Sequence, residues 1–243
     1  MENAEKKARV WELDAFRGLF IIGMVIVHTI YDLTELFDAG FTPPGLYFFV
    51  KQYGSALFIA LSGICATFGS HSVKRGLTVI GFGALVSLVM AVLTHFYPDS
   101  FGNIYFGILQ FLGCCMLLYP LFRKLPVWAL SLLAVLSAAA GYFIKDIDAG
   151  FFPPLVVLGF SLKNFYPADH FPIFPNIAWF FLGIVLGKTL YKEKRSRLPQ
   201  KIGETKPVKF LMLCGRYSLW IYVLHQPVVY GILWVICKAC GKI

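Results

Sequence analysis

Charge is what this sequence has least of. Only 14% of its 243 residues are Asp, Glu, Lys or Arg, where ordinary soluble domains carry roughly 25%. Acidic residues are the scarcer sign, 13 against 22 basic ones, and there are only five His. A soluble fold could not cover a chain that is 58% hydrophobic with so little polar surface. A mean hydropathy of +0.70 excludes it on the same ground. There is no internal repeat and no low-complexity tract, which excludes a solenoid. No Ser-His-Asp arrangement can be placed, and no His, Cys and carboxylate set has the spacing of a metal centre, so no metal is expected.

Cysteine is sparse too, and what there is does not form a disulfide framework. Cys65, Cys114, Cys115 and Cys214 fall inside apolar runs and read as packing residues. Cys237 and Cys240 form a lone C-x-x-C pair, open to either a disulfide or redox use. The first apolar run holds Asp14 and Arg17, exceeds a signal-peptide core and lacks a small-residue cleavage site. It is expected to span the membrane rather than to be cleaved.

What is abundant is apolar sequence in membrane-length blocks. Runs of about 20 residues lie at 13–33, 46–69, 76–97, 103–122, 126–145, 172–191 and 209–236. They predict an all-α polytopic membrane helical bundle of about seven transmembrane helices, folded as a single domain. A shorter piece, FFPPLVVLGF (Phe151 to Phe160), cannot cross and reads as a re-entrant or interfacial segment. Placing the N-terminus in the cytoplasm leaves five of the 22 basic residues outside: Lys51, Lys145, Lys163, Lys238 and Lys242. That asymmetry predicts N-in and C-out, with a basic cytoplasmic loop at 192–208. The net charge of +9 is thereby absorbed by topology and anionic lipid, and a nucleic-acid partner is not expected. GIVLG (Gly183 to Gly187) is a small-xxx-small pattern suited to packing within the chain, with a homodimer face as the alternative use.

Against this background the polar residues inside spans stand out. Ionisable groups at membrane depth are functional candidates by default. Asp14 and Arg17 are three apart at the cytoplasmic end of the first span, on one face where they can pair. His28 follows Arg17 by eleven residues, close to three turns and about 16 Å further out, and Asp32 follows by four more. One face thus carries a polar ladder, with Tyr31 beside it. The last span, entered at about Lys209, brings His225 to a similar height; the fourth brings Gln110; and NFYPADHFPIFP adds Asp169 and His170 near the outer opening. An imidazole in a dry cavity is a suitable general base for acyl transfer, and the basic inner face can hold the phosphates of an acyl-coenzyme A. The same ladder would equally suit a small transporter or proton-conducting protein, or an accessory subunit without activity.

Four stretches carry a resemblance: LDAFRGLFIIGMVIVH, IYFGILQFLG, DHFPIFPNIAWFFLGIVLGK and GRYSLWIYVLHQPV. In this order they resemble the transmembrane acyltransferase superfamily, and within it the small bacterial form of the heparan-α-glucosaminide N-acetyltransferase catalytic-domain family. The resemblance implies a multi-pass enzyme of the bacterial cytoplasmic (inner) membrane. It would take an acyl group, usually acetyl, from cytosolic acetyl-CoA and pass it to an amine or hydroxyl of a sugar-like acceptor reached from outside. It assigns catalysis to His28 and matches Arg17 and His225 to family positions; Asp32, on the same helix face, is expected to act beside the two His. Gln110, Asp169, His170 and Tyr31 are expected to contact the acceptor, and Arg17, Asp14 and Arg216 the coenzyme. The lysosomal enzyme of the family carries its catalytic His in the loop after the first helix, whereas no His lies between His28 and His71 here.

Overall fold

The computed structural model describes residues 10–37, 40, 42–97, 102–150, 152–165 and 167–240. Lys6, Lys7, Arg9 and Lys242, among the basic residues counted above, lie outside the described residues. Helix α1 covers Trp11–Tyr31 and runs on through a π-helical turn, Asp32–Leu36. It is followed by α2 (Gly45–Ala66), α3 (Ser72–Phe96), a short strand β1 (Ile104–Phe106), α4 (Ile108–Phe122) and α5 (Val127–Ile144). A 3-10 helix, Pro153–Leu158, precedes strand β2 (Asp169–His170) and α6 (Ile173–Thr189). The chain closes with α7 (Gln200–Gly203), α8 (Lys206–Arg216) and α9 (Ser218–Ala239). The fold is all-α, with two tiny parallel strands as its only sheet among the described residues.

Five helical segments are long and apolar enough to cross a bilayer: Trp11–Leu36, Gly45–Ala66, Ser72–Phe96, Val127–Ile144 and Ser218–Ala239. The chain is a multi-pass membrane protein, and large side chains such as Leu46, Phe96, Trp128 and Phe143 stand on its exterior. The exact count of seven is not confirmed, for two reasons. Helices α4 and α6 have only 15 and 17 residues, about 22 and 26 Å at 1.5 Å per residue, short of a hydrocarbon core of about 30 Å. The expected last span, 209–236, is two helices that meet at Tyr217. The first of them, α8, is amphipathic, with Lys206, Lys209 and Arg216 alongside exposed Phe210 and Leu213. Its break moves the start of the spanning helix from residue 209 to Ser218. His225 therefore lies seven residues into its helix, and its height cannot be reckoned from Lys209. The segment too short to cross is the 3-10 helix, stopped at Gly159 with φ +118°.

The chain divides into two compact units, one of residues 1–58 and 191–243, the other of residues 59–190. In the first, α1 packs on α8 and α9. The α1–α8 crossing is a backbone contact: a Cβ at Gly18 would land on the Leu211 carbonyl oxygen, and one at Gly215 on that of Asp14. Glu12, almost fully buried, accepts hydrogen bonds from Ser196 Oγ and the Arg197 backbone N–H, both 2.6 Å, and so ties the basic loop to the start of α1.

In the second unit α3 packs on α4 and α5 on α6. Gly183 of α6 meets Ala60 and Gly63 of α2, and Gly187 meets Thr67 and Ile64, so both glycines of the GIVLG pattern are used within the chain. Asp169 Oδ2 accepts from the Ile108 N–H at 3.2 Å, which puts a carboxylate at the positive N-terminus of α4. At the other end of α4, Lys188 Nζ donates to the carbonyls of Arg123 and Leu125 at 2.8 and 2.6 Å. All six cysteines are free thiols, Cys237 buried and Cys240 exposed.

The glycine contact of α1 with α8 yields a stability prediction. Gly18→Val should destabilise the detergent-solubilised protein by about 1–3 kcal/mol or more, since backbone rather than a flexible side chain would have to move. Thermal unfolding against wild type, with exposed Gly231→Val as a control that meets nothing within 4 Å, checks it.

Candidate active site

The polar ladder of α1 has its partners on α8 and α9. At the lower end, Arg17 Nη1 lies 3.3 Å from Asp14 Oδ1, and Arg216 Nε lies 3.8 Å from Asp14 Oδ2. Two guanidinium groups from different helices thus share one carboxylate. Along α1 from this cluster, α9 comes alongside in parallel, as three successive contacts show. The His28 and His225 rings meet edge to face at a centroid distance of 5.0 Å and an angle of 68°. Asp32 meets Gln226, and Phe37 stacks near Tyr230 at 5.5 Å.

Each member of this seam is held differently. Asp32 has no exposed surface, and both of its oxygens accept from Gln226 Nε2, at 3.0 and 2.9 Å. It opens the π-helical turn, and π-turns inside helices recur at functional sites. His225 Nδ1 lies 2.6 Å from the Tyr222 carbonyl oxygen. A carbonyl can only accept, so the Nδ1 atom carries the hydrogen and Nε2 bears the lone pair. That Nε2, and Gln226 Oε1 on the next residue, are buried without a hydrogen-bond partner. His28 is the more exposed of the two imidazoles. Tyr31 is also exposed, with Lys51 Nζ 5.7 Å from its ring centroid.

Of the sequence candidates, Asp14, Arg17, His28, Asp32, Arg216 and His225 are brought together along one side of α1. Gln110, Asp169 and His170 belong to the second unit and form a group of their own. Gln110 donates to the Gly83 carbonyl and Ser87 Oγ at 3.0 and 2.6 Å, and accepts from the Gly107 N–H at 3.0 Å. Its hydrogen-bonding capacity is largely spent on joining α3 to the start of α4. His170 pairs in the two-stranded sheet and stacks on Phe165. Burial holds its imidazole below the ordinary value, with a hydrogen bond to the Val156 backbone pulling the other way. Among the described residues no group of three or more His, Cys, Asp and Glu side chains is arranged to hold a metal ion.

The family model for heparan-alpha-glucosaminide N-acetyltransferase, catalytic, matches residues 9–227. The chain belongs to this family. No curated protein and no solved structure matches it. Membership in the heparan-alpha-glucosaminide N-acetyltransferase catalytic family makes the chain a membrane enzyme of the acetyltransferase type. The match takes in all of α1 and ends at Pro227, just past His225 and Gln226, so it contains every polar member of the seam.

Two residues of this family member escaped the sequence reading. Gln226 was masked by its neighbours: a helical step of about 100° sets it off the face of His225, and only the contact with α1 shows that both reach the same seam. Glu12 sits beside the Leu-Asp motif and looks like a helix-start acid until its partners 184 and 185 residues away are known.

The assigned tautomer is directly measurable. In nitrogen-15 spectra of histidine-labelled protein, His225 should show a protonated Nδ1 and an unprotonated Nε2 at neutral pH. A protonated Nε2 would refute the assignment.

Proposed function

We propose that the protein transfers an acetyl group from cytosolic acetyl-CoA to an amine or hydroxyl of a sugar-like acceptor that reaches the site from the outer face of a bacterial inner membrane. The observation that carries this reading is the seam of His28, His225, Asp32 and Gln226 inside an apolar pair of helices, with the arginine cluster at the far end of the same seam. The donor belongs at the cluster. Arg17 and Arg216 flank Asp14, and Arg216 also lines a cavity of about 340 Å³ between α7 and α8, together with Gln200, Glu204, Lys209 and Leu213. A cavity of that size with two cations suits phosphate groups of the coenzyme rather than the whole molecule. The parallel run of α1 and α9 supports the N-in, C-out arrangement, because both helices then lead outward from the basic side.

The chemistry needs one base and no redox partner. As the acceptor nitrogen or oxygen bonds to the acetyl carbon, its hydrogen passes to an imidazole of the His28 and His225 pair. The carbon–sulfur bond breaks, and the departing thiolate takes that proton back. His225 is ready for this role because its Nδ1 hydrogen is committed to Tyr222. The Asp32 carboxylate, one helical turn along α1 from His28, steadies an imidazolium while it lasts.

Purified protein supplied with acetyl-CoA and a panel of glucosamine, galactosamine and glucose should release free coenzyme A thiol. His28→Ala and His225→Ala should each slow release by about 100-fold to 10,000-fold, the usual worth of a general base, without loss of folding. Absence of thiol release by the wild type with every acceptor would sink the reading. Lys209→Ala should raise the KM for acetyl-CoA several-fold, on the order of one lost charge-assisted bond, and leave kcat and the acceptor KM in place.

A further inference from the structure

Two buried hydrogen-bond acceptors without partners stand on consecutive residues of α9: His225 Nε2 and Gln226 Oε1. Both side chains reach α1, one through the His28 ring and the other through Asp32. The orientation of the Gln226 amide follows from its contact with both Asp32 oxygens. An ionised carboxylate only accepts, so with Asp32 ionised the edge of the amide facing it is the NH2 group, and the oxygen points elsewhere. A polar pair that served only to hold two membrane helices together would use up its hydrogen-bonding capacity in the contact. This pair leaves a carbonyl oxygen over, and the preceding residue leaves an imidazole nitrogen over in the same way, where buried polar atoms are ordinarily satisfied.

We propose that Gln226 is a positioning residue of the acetyl-acceptor site: its NH2 group fixes the Asp32 carboxylate, and the amide so fixed presents its oxygen to a hydrogen of the incoming amine or hydroxyl group beside His225. The residue does no proton transfer. It holds Asp32 in place for the imidazole pair and orients the nucleophile that His225 deprotonates. The inference rests on the acetyl-transfer reading above.

The test compares Gln226→Met, Gln226→Glu and the double variant D32N/Q226E with the wild type, in the full chain, using the panel acceptor that gives the fastest turnover. The double variant exchanges carboxylate and amide between the helices, and so keeps the hydrogen bond and the net charge while reversing its direction. Gln226→Met should lower kcat by about 10- to 100-fold, the range of an unmade buried hydrogen bond, with the KM for acetyl-CoA within about twofold of wild type. D32N/Q226E should regain the Tm that Gln226→Glu loses but not the turnover. The inference is overturned if Gln226→Met turns over within about twofold of wild type, or if the exchanged pair restores rate together with Tm, since the contact then serves packing alone. Failure of the wild type to release thiol with any acceptor would be a different result, and would take the acetyl-transfer reading down with the inference.

Discussion

A carboxylate without exposed surface, lodged in an apolar helix and held by a single amide side chain, is the constraint around which the first unit is arranged. Burying an ionised group is costly unless it is hydrogen-bonded, and in a bilayer the partner has to come from the protein. Asp32 finds Gln226. For that bond to form, α9 must run beside α1 in one direction and one register, and the same register sets His225 against His28 and Tyr230 near Phe37. The polar contacts thus align what the apolar surfaces, being alike all round, would leave free to slide. Below them the glycines at 18 and 215 let α8 cross α1 at backbone distance, which brings Arg216 to Asp14.

The division of labour in the seam follows from which groups are satisfied. His225 is locked by a backbone carbonyl and Asp32 by an amide, whereas His225 Nε2 and Gln226 Oε1 are not engaged. Rigid support next to unspent acceptors is the condition a reaction needs, because groups already in place lose little freedom when the substrate arrives. Gln110 shows the contrast. It is as polar as the seam residues, yet its contacts with Gly83, Ser87 and Gly107 consume it in joining helices.

Much of this was legible in the sequence. Composition alone yields the membrane class, and the three-turn spacing from Arg17 to His28 places both on the side of α1 that meets α8 and α9. The family resemblance, carried by four motifs in order, agrees with the match over residues 9–227. Other features were not legible for physical reasons. Hydropathy cannot distinguish a spanning helix from an amphipathic one that leads into it, so the break at Tyr217 passed unseen. Nor does hydropathy register that the apolar run at 103–122 forms a helix of only 15 residues. Gln226 was invisible because its meaning lies in a bond to a residue 194 positions away.

The π-helical turn that begins at Asp32 also bears on how the chain can vary. Such a turn holds one residue more than an α-helical turn, so it separates the register of α1 below it from the course of the chain above it. Loss of that extra residue would return the segment to ordinary helix and swing everything beyond it around the axis, while His28, earlier in the helix, would keep its heading toward His225. The stretch of α1 that carries His28 and the chain that follows residue 36 can therefore change independently, without disturbing the imidazole pair.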